Sequence, residues 1–398
     1  MDRALTCENI FSIRGEPTQT LIAREKYIKQ IIGTLREGQI PCVVGMSKSG
    51  KTLLVRQTLF LFQISSIWLF GSQMVHPDSV WRLLAQQMHI DEDFQRNPEQ
   101  TQEKILTRLV SEEILLVIDD FHFIINPEHR LAVLLALKLV NERSGKSVVI
   151  GVKSPQTREI EYFNDLNGRI RSVIIDNWSI QELSKIALKG FNARQSTVGR
   201  LERLAYESFG SPFLMQLLCQ IFCKRKLEPF LHSEGGIASL VEHSDPATMF
   251  EDVFPSATLS VQYGKLYSLL TEPSACEVDR KFRRHDNRAG NLNQLILYAA
   301  TGKYPLGAMP YSDIQTGRLW HRVRECLAED EMMPSQEETE RAVKKMVGHY
   351  FEFYRETSTT FSRHDPLVDY GEGKFYIRDP FLLFYIRHSP EVEESFLG

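Results

Sequence analysis

Two glycines, a lysine and a threonine have the spacing of a phosphate-binding loop. In the segment Gly45–Thr52, Gly45 and Gly50 are followed directly by Lys51 and Thr52. Glycine lets the backbone turn successive N–H groups toward phosphate oxygens, the lysine spans the β- and γ-phosphates, and the hydroxyl ligates Mg²⁺. The motif therefore predicts a site for a nucleoside triphosphate with Mg²⁺. The residues expected to contact this cofactor are Gly45, Ser47, Lys48, Ser49, Gly50, Lys51, Thr52 and Leu53.

A second motif lies further along the chain, where an apolar run ends in two acids. The run Ile114–Ile118 is followed by Asp119 and Asp120. Such a run is typical of a strand buried in a parallel sheet, and the carboxyl end of such a strand lies beside a bound phosphate. Asp119 is expected to hold Mg²⁺ through water, and Asp120 to orient the attacking water as the catalytic base. The alternative is that the two acids only close a buried strand.

Residue types also indicate which nucleobase is bound and how fast the nucleotide is hydrolysed. An Asn-Lys-x-Asp motif, which reads guanine, does not occur in the sequence, and this favours ATP over GTP. Asp120 reaches less far than a glutamate, so ATP hydrolysis is expected to be slow.

The apolar runs that position these motifs alternate with helical patterns. Strands are predicted near 40–44, 67–70, 114–118, 147–152 and 172–175. Buried strands alternating with helices imply an α/β fold, namely the parallel sheet of a P-loop NTPase with helices on both faces. After Trp178 the pattern becomes helical. The predicted domains are a P-loop ATPase core at 1–178, a helical lid at 179–226, a linker at 227–256 and a winged-helix-like C-terminal domain at 257–398.

Composition limits where the protein acts and what it binds. The net charge of −4 excludes a globally basic protein, so any nucleic-acid contact must come from a local patch. The six cysteines make no paired C-x-x-C pattern and are expected to be reduced thiols of a soluble cytoplasmic protein. Cys219 and Cys223 lie one helical turn apart and are expected in a core rather than in a metal half-site. No run of 18 uncharged apolar residues predicts a membrane span.

Three further segments extend the pattern beyond the nucleotide motifs. These are Arg24-Glu25, Phe209–Leu214 and Lys374–Tyr385. With the two motifs, they resemble the AAA+/STAND superfamily of P-loop ATPases, and most closely the ORC-like and archaeal-type ATPases with a C-terminal winged helix. Arg24 resembles the N-terminal box that lies against adenine in these proteins, and Phe209–Leu214 resembles the GxP motif of the STAND branch.

The resemblance implies roles for individual residues. Arg24 and Pro212 are implied to contact the adenine, and Lys153 lies near the sensor 1 position. Arg169 falls where ORC-type proteins carry an arginine that reaches the γ-phosphate of a neighbouring subunit, which implies a homo-oligomer. The alternative is a solvated loop arginine after Gly168. Pro212 and its neighbours stand where many AAA+ proteins carry a sensor 2 arginine, so nucleotide sensing is expected to follow the STAND style.

The C-terminal region shows helices followed by a β-ribbon. Ser335 and Glu338 form a capping box, and Tyr350–Tyr354 and Phe375–Ile377 are predicted strands. This order predicts a winged helix. Acids at the start of its second helix favour a protein contact over DNA. The best candidate for a DNA contact is the basic region Arg280–Arg288, with a solvated loop as the alternative.

Two functions are consistent with these motifs. The first is a regulatory ATPase switch that controls self-assembly or a partner effector, and the resemblance implies a setting in bacterial stress or anti-phage defence. The second is a DNA-binding AAA+ ATPase of the initiator or transposition-helper type. A small-molecule kinase is weaker, because the sequence offers no recognisable acceptor site.

Overall fold

The polypeptide forms two compact units. The computed structural model describes residues 6–13, 15–90, 96–124, 126–152, 168–192, 198–227, 249–250, 253–257, 261–302, 313–356, 367–371 and 373–396. One unit, here called the nucleotide unit, is Ala23–Asn177, and the other, the helical unit, combines Met1–Ile22 with Trp178–Ser362 and Pro366–Gly398. Within the described ranges, no helix is long and apolar enough to cross a membrane.

The nucleotide unit is built on a five-stranded parallel sheet. Its strands are β1 (Ile40–Gly45), β2 (Ser66–Phe70), β3 (Leu115–Asp119), β4 (Ser147–Val152) and β5 (Ile170–Ile175). Their order across the sheet is β2-β3-β4-β1-β5. Every residue of β1, β3 and β4 is buried, which explains their unbroken apolar runs.

Helices cover both faces of this sheet. They are α2 (Glu25–Arg36), α3 (Lys51–Leu61), α4 (Ser79–Gln87), α5 (Pro98–Ser111) and α6 (Pro127–Glu142). Helices α2 and α3 share one core with Val43, whereas α4, α5 and α6 share the other with Cys42 and Val44. Alternate residues of β1 therefore point into opposite cores, as the pleat requires. The predicted P-loop NTPase sheet with helices on both faces is confirmed.

The helical unit begins with a short helix and continues after the sheet. Its first helices are α1 (Cys7–Ile10), α7 (Ile180–Gly190), α8 (Val198–Glu207) and α9 (Pro212–Phe222). The N-terminal segment lies on α9, because Gln220 donates from Nε2 to the carbonyl of Phe11 at 2.7 Å and Gln216 donates to the hydroxyl of Thr20 at 2.6 Å. Residues 6–22 thus pack in the helical unit, although they fall within the predicted ATPase core at 1–178. The domain boundaries themselves stay predictions.

One cysteine prediction is wrong. All six cysteines are expected from the sequence to be reduced, but Cys7 and Cys223 form a disulfide with their Cα atoms 5.7 Å apart. Both are fully buried where α1 meets the end of α9. The pair is 216 residues apart in sequence, so only the packing of α1 brings the two sulfurs together. Cys219 is a buried free thiol, as expected for a core residue.

The rest of the helical unit contains short strands among helices. These elements are α10 (Val253–Ala257), α11 (Val261–Thr271), β6 (Phe282–Arg283), β7 (Ala289–Gly290), α12 (Leu292–Thr301), β8 (Asp313–Gln315), α13 (Thr316–Cys326), α14 (Gln336–Glu356), β9 (Val368–Gly371), β10 (Lys374–Ile377), α15 (Pro380–His388) and α16 (Pro390–Ser395). Strands β8, β10 and β9 form an antiparallel sheet in that order. The predicted linker 227–256 lies mostly outside the described residues.

The capping box predicted at Ser335 is confirmed, but one strand prediction is wrong. Glu338 accepts from the Ser335 amide at 2.6 Å and donates its own amide to the Ser335 hydroxyl at 3.1 Å. Tyr350–Tyr354 lies in α14, not in a strand. Buried Val343, Met346 and Tyr350 recur at helical spacing, so continued helical packing overrides the strand preference of the aromatic run.

A buried ion pair connects the early and late parts of the helical unit. Glu207 at the end of α8 is only 1% exposed. Its carboxylate lies 3.2 Å from Nε of Arg387 and 2.8 Å from Nε2 of His388, both on α15. Burial lowers the pKa of His388, so Arg387 is the charged partner. The helices predicted as lid and as C-terminal domain are therefore held together by a desolvated charge pair.

We expect Glu207→Ala to lower the free energy of unfolding by about 3–5 kcal/mol, because it leaves the Arg387 charge buried without its partner. Urea denaturation followed by circular dichroism measures the change. Glu202→Ala is the matched control on the same helix, because Glu202 is only half-buried. Equal effects of the two substitutions would show that the ion pair contributes little.

Candidate nucleotide-binding site

The loop Gly45–Thr52 connects the end of β1 to the start of α3. Gly50, directly before the helix, has φ +87°, a left-handed conformation that favours glycine. A Cβ on Gly45 would lie 2.9 Å from the carbonyl oxygen of Ile175 on β5, so only glycine fits there. The helix α3 begins at the end of the loop, so the positive end of its dipole faces the loop. Its first turn carries no acid that would cancel this partial charge. This geometry is that of an anion-binding loop.

The side chains of Lys51 and Thr52 point into this region. Lys51 is 8% exposed, and its Nζ donates to the carbonyls of Met46 at 2.6 Å and Gly45 at 3.2 Å. The Thr52 hydroxyl donates to Oδ1 of Asp119 at 3.2 Å. The two sequence motifs, far apart in the chain, therefore meet at the carboxyl ends of strands β1 and β3.

Asp119 ends β3 and is almost fully buried. The same Oδ1 also accepts from the backbone N–H of Asp120 at 2.9 Å. Burial raises the pKa of Asp119, although the Thr52 hydrogen bond and the charge of Lys51 oppose the shift. A desolvated carboxylate beside a hydroxyl is chemically suited to a hard divalent cation.

Asp120 follows with a backbone conformation that few residue types adopt. Its φ is +54° and its ψ +42°, in the left-handed region where aspartate and asparagine are tolerated best. Burial, followed by the neighbouring charge of Asp119, raises the pKa of Asp120 to about 6. Its predicted role as base stays a prediction, but the structure brings it to the same edge as Lys51.

His122 lies close enough to the Lys51 ammonium to feel its charge, and it is not among the predicted site residues. Burial, followed by the charge of Lys51, lowers the pKa of this histidine to about 3, so it is a neutral imidazole. It comes two residues after Asp120, in the turn that closes β3. A polar residue just beyond the acid pair is the only signal that the sequence offers.

A small polar cluster holds Arg24 at the carboxyl end of β5, next to the phosphate-binding loop. Its guanidinium donates to the carbonyl of Asp176 at 2.9 Å and lies 4.5 Å from the centre of the Tyr27 ring. The Tyr27 hydroxyl donates to the Asp176 carboxylate at 2.8 Å, and this bond lowers the pKa of Asp176. Asp176 directly follows Ile175, which pairs with Gly45. Tyr27 and Asp176 are therefore part of the surroundings of the loop that sequence reasoning does not find.

Arg169 lies at the opposite end of the strands, just before the amino end of β5. It precedes the first residue of β5, and parallel β1 and β5 pair from Ile40 with Ile170 to Gly45 with Ile175. Six residues of strand place Arg169 about 20 Å from the loop of its own chain. Its Nη1 lies 2.8 Å from Oε1 of Glu142, and the side chain is 36% exposed. The residue is thus too far to serve its own site, and a role toward a neighbouring subunit stays a prediction.

Two other predicted residues are not tested by this geometry. Pro212 is the first residue of α9 in the helical unit, with Ser211 accepting from the Leu214 amide at 3.2 Å as the cap. Its contact with adenine stays a prediction. Lys153 lies outside the described residues.

The basic region Arg280–Arg288 is occupied largely by internal ion pairs. Arg283 pairs with Asp330, and Arg288 with Glu393. Arg284 is 2% exposed, lies 2.7 Å from Asp286 and stacks over the ring of Tyr298 at 4.0 Å. Arg284 is therefore a structural residue rather than a phosphate contact, because its charge is already compensated inside the fold.

The loop Gly45–Thr52 connects β1 to α3, and the acid pair Asp119-Asp120 lies at the end of β3. Strand β4 lies between β3 and β1 in the sheet. This arrangement, with Thr52 bonded to Asp119, defines the nucleotide unit as a P-loop NTPase. Residues 24–135 match the model of the NB-ARC domain, a P-loop ATPase domain of the AAA+/STAND type. No curated protein sequence matches the chain significantly.

Among solved structures, the chain is similar to Cdc6p from Pyrobaculum aerophilum, with 12% identity, a TM-score of 0.43 and 98% of each chain covered. It is also similar to the Orc1 protein of Aeropyrum pernix in complex with DNA, with 11% identity, a TM-score of 0.43, and 98% of this chain and 97% of that chain covered. The RuvB Holliday junction branch migration motor of Thermotoga maritima matches at 15% identity and a TM-score of 0.41, covering 63% of this chain and 76% of that chain.

Proposed function

We propose that the protein is a regulatory switch that binds ATP with Mg²⁺ at Gly45–Thr52, hydrolyses it slowly and thereby controls its self-assembly or a partner effector. The observation that carries this proposal is the 3.2 Å contact between Thr52 and Asp119, with Lys51 and Asp120 beside it. A setting in bacterial stress or anti-phage defence is part of the proposal, and its support is the resemblance to STAND ATPases.

The residues at this edge fit a magnesium ion held mainly by phosphates. Mg²⁺ takes oxygen ligands and is commonly bound by one or two protein groups, with waters and substrate phosphates completing its shell. The Thr52 hydroxyl and the Asp119 carboxylate are such a pair. The bound ion would neutralise charge developing on the phosphates.

The protein groups would act mainly by positioning. The loop N–H groups and the Lys51 ammonium hold the phosphates, and Asp120 orients the attacking water and accepts its proton. Because the Asp120 carboxylate titrates near pH 6, it is ionised and competent at neutral pH. The short side chain supports slow turnover.

A pH dependence follows from these two carboxylates. A bound Mg²⁺ favours the ionised form of both carboxylates, and both have raised pKa values in the protein. Affinity for Mg²⁺-ADP is therefore expected to fall as the pH drops through about 6, with proton release on binding. Calorimetry in buffers of different ionisation enthalpy measures the release. Asp120→Asn should reduce it, and an unchanged release would place the titrating group elsewhere.

A winged helix in the helical unit is part of the proposal as its partner-binding module. The order α12, β8, α13, α14, β9, β10, with the sheet order β8-β10-β9, supports it. The initiator-type alternative needs a DNA-binding surface outside Arg280–Arg288, because the ion pairs of that region occupy several of its cations.

The switch is tested by molar mass and by activity together. Light scattering is expected to show a larger assembly with a non-hydrolysable ATP analogue than with ADP. If Arg169 acts on a neighbour, ATPase activity per chain rises with protein concentration, and Arg169→Ala removes the rise, since such arginines contribute about 10³–10⁵ in rate.

Arg171→Ala is the matched control, because Arg171 lies on the same strand and pairs with Glu37 at 2.7 Å. An unchanged molar mass in both nucleotides would sink the assembly switch. Activity that is independent of concentration would leave Arg169 as a structural partner of Glu142.

A further inference from the structure

The turn that follows β3 carries Asp120, and its backbone is held from several sides. This turn, here called the acid turn, is Asp120–Ile124 and contains the 3₁₀ segment Phe121–Phe123. Asp120 has φ +54°, in the left-handed region that costs free energy for a residue other than glycine. Such a conformation persists only where the surrounding structure fixes it. The contacts of the acid turn therefore indicate which residues hold Asp120 in place.

The first support of the acid turn is the backbone of a neighbouring turn at Gly71–Met74, here called the support turn. Strands β2 and β3 pair in parallel up to Phe70 with Asp119, so Gly71 lies beside Asp120. A Cβ on Gly71 would lie 2.1 Å from the carbonyl oxygen of Asp120 and 2.9 Å from its carbonyl carbon. Gly71 is buried and its φ is not positive, so space rather than backbone conformation requires glycine there.

The support turn is fixed by hydrogen bonds of its own. The N–H of Phe70 donates to Oε1 of Gln73 at 3.0 Å. The N–H of Met74 donates to the carbonyl of Gly71 at 3.1 Å, and the carbonyl of Met74 lies 3.1 Å from Nδ1 of His129 on α6. A Cβ at position 71 could therefore be accommodated only by moving one of two hydrogen-bonded turns.

The second support is the buried guanidinium of Arg130 on α6. Arg130 is 8% exposed, and its Nε and Nη2 donate to the carbonyl of Ile124 at 3.0 Å and 2.6 Å. Two donors of one planar group fix the direction of this carbonyl, which ends the acid turn. Cγ1 of Ile124 also lies 3.4 Å from the Cβ position of Gly71, so the two supports meet at Ile124.

Hydrogen bonds fix the peptide groups on both sides of Asp120 as well. Its N–H donates to Oδ1 of Asp119 at 2.9 Å, the oxygen that also accepts from Thr52. Its carbonyl accepts from the N–H of Phe123 at 2.9 Å. The backbone in turn decides where the carboxylate of Asp120 can reach, because only χ1 and χ2 lie between them.

We propose that Gly71 and Arg130 are positioning residues for ATP hydrolysis, which hold the backbone of Asp120 where its carboxylate orients the attacking water. This inference rests on the proposed function, in which Asp120 is the base. The phosphates are held from the loop between β1 and α3, whereas Gly71 follows β2 and Arg130 lies on α6. The two supports should therefore affect turnover rather than nucleotide binding.

The first support is tested with Gly71→Ala in the full chain. The single-turnover rate of ATP hydrolysis is expected to fall about 10–100-fold, because the added methyl group must displace the peptide of Asp120. The Kd for a non-hydrolysable ATP analogue with Mg²⁺ should be unchanged. Gly33→Ala is the matched control on α2, where no described atom lies within 4 Å of the added Cβ. This control should hydrolyse ATP at the wild-type rate.

Two substitutions of Arg130 test the second support. Arg130→Met keeps a long side chain but removes the donors, and it should lower the rate about tenfold with the Kd unchanged. Arg130→Lys restores one donor and should recover part of that loss. Such a rescue separates positioning from packing, because methionine and lysine fill similar space. Thermal unfolding followed by circular dichroism checks the fold, and if Gly71→Ala does not fold, the Arg130 pair decides the proposal.

A double-mutant cycle shows whether the supports act through Asp120. In an Asp120→Asn background, Gly71→Ala and Arg130→Met should cause no further loss of rate, because the group that they position is already gone. An equal fractional loss in both backgrounds, a wild-type rate in both variants, or a fall in nucleotide affinity in place of rate would overturn this inference and leave Asp120 as the base. A wild-type rate in Asp120→Asn itself would overturn the inference and the base assignment together.

Discussion

Replacing Lys51 with alanine is expected to weaken ATP binding about 100-fold. A hydrogen bond to a charged group contributes about 1.5–3 kcal/mol, and the Lys51 ammonium would contact two phosphates at once. The amine lies within 2.6 Å of the loop backbone at Met46, so it is already held where the phosphates would be received. Isothermal titration calorimetry with ATP in the presence of Mg²⁺ measures the effect.

The control for Lys51→Ala is Lys29→Ala in the same unit. Lys29 lies on α2 with its side chain 80% exposed, and its Nζ lies 3.8 Å from Oε2 of Glu25. This variant should bind ATP as the wild type does. Because Lys51 also bonds to the loop carbonyls, thermal unfolding must be compared as well. Unchanged ATP affinity in a folded Lys51→Ala variant would refute the nucleotide site itself.

Asp120→Asn is expected to keep ATP bound while lowering the hydrolysis rate by about 10²–10⁴, the usual range for loss of a general base. Asparagine is the appropriate replacement, because position 120 has φ +54° and asparagine tolerates that conformation. The substitution also removes the carboxylate that titrates near pH 6, so any remaining activity should lose that pH dependence. Phosphate release under saturating ATP is the measurement.

Asp78→Asn serves as the control for the same chemical change outside the site, since Asp78 precedes α4 and lies 3.6 Å from Arg82. It should hydrolyse ATP normally. If Asp120→Asn does so too, another group orients the water. His122, a neutral imidazole in the same turn, would then be the residue to replace next.

Local patterns determined much of the nucleotide unit. The strands β1, β3 and β4 are buried on both faces, so each had to be an unbroken apolar run, and the run itself reveals the strand. The loop needs glycine at 45 and 50 for steric reasons that hold in any such fold. The capping box at Ser335 is equally local, because its two hydrogen bonds join residues three apart.

Contacts between distant segments could not be predicted in this way. The cluster of Arg24, Tyr27 and Asp176 joins the start of α2 to the end of β5. The disulfide joins Cys7 to Cys223, and the buried carboxylate of Glu207 meets Arg387. None of these pairs has a spacing that a sequence pattern reveals.

The sequence by itself determined that a phosphate loop and an acid pair exist and that a parallel sheet carries them, because backbone sterics and the period of burial act within a few residues. Only the tertiary structure decided which charges remain available. It neutralised much of the Arg280–Arg288 region with acids from other segments, among them Asp330 and Glu393. The physical reason is that a side chain's charge is cancelled by whatever lies within a few ångströms in space, and folding decides those neighbours.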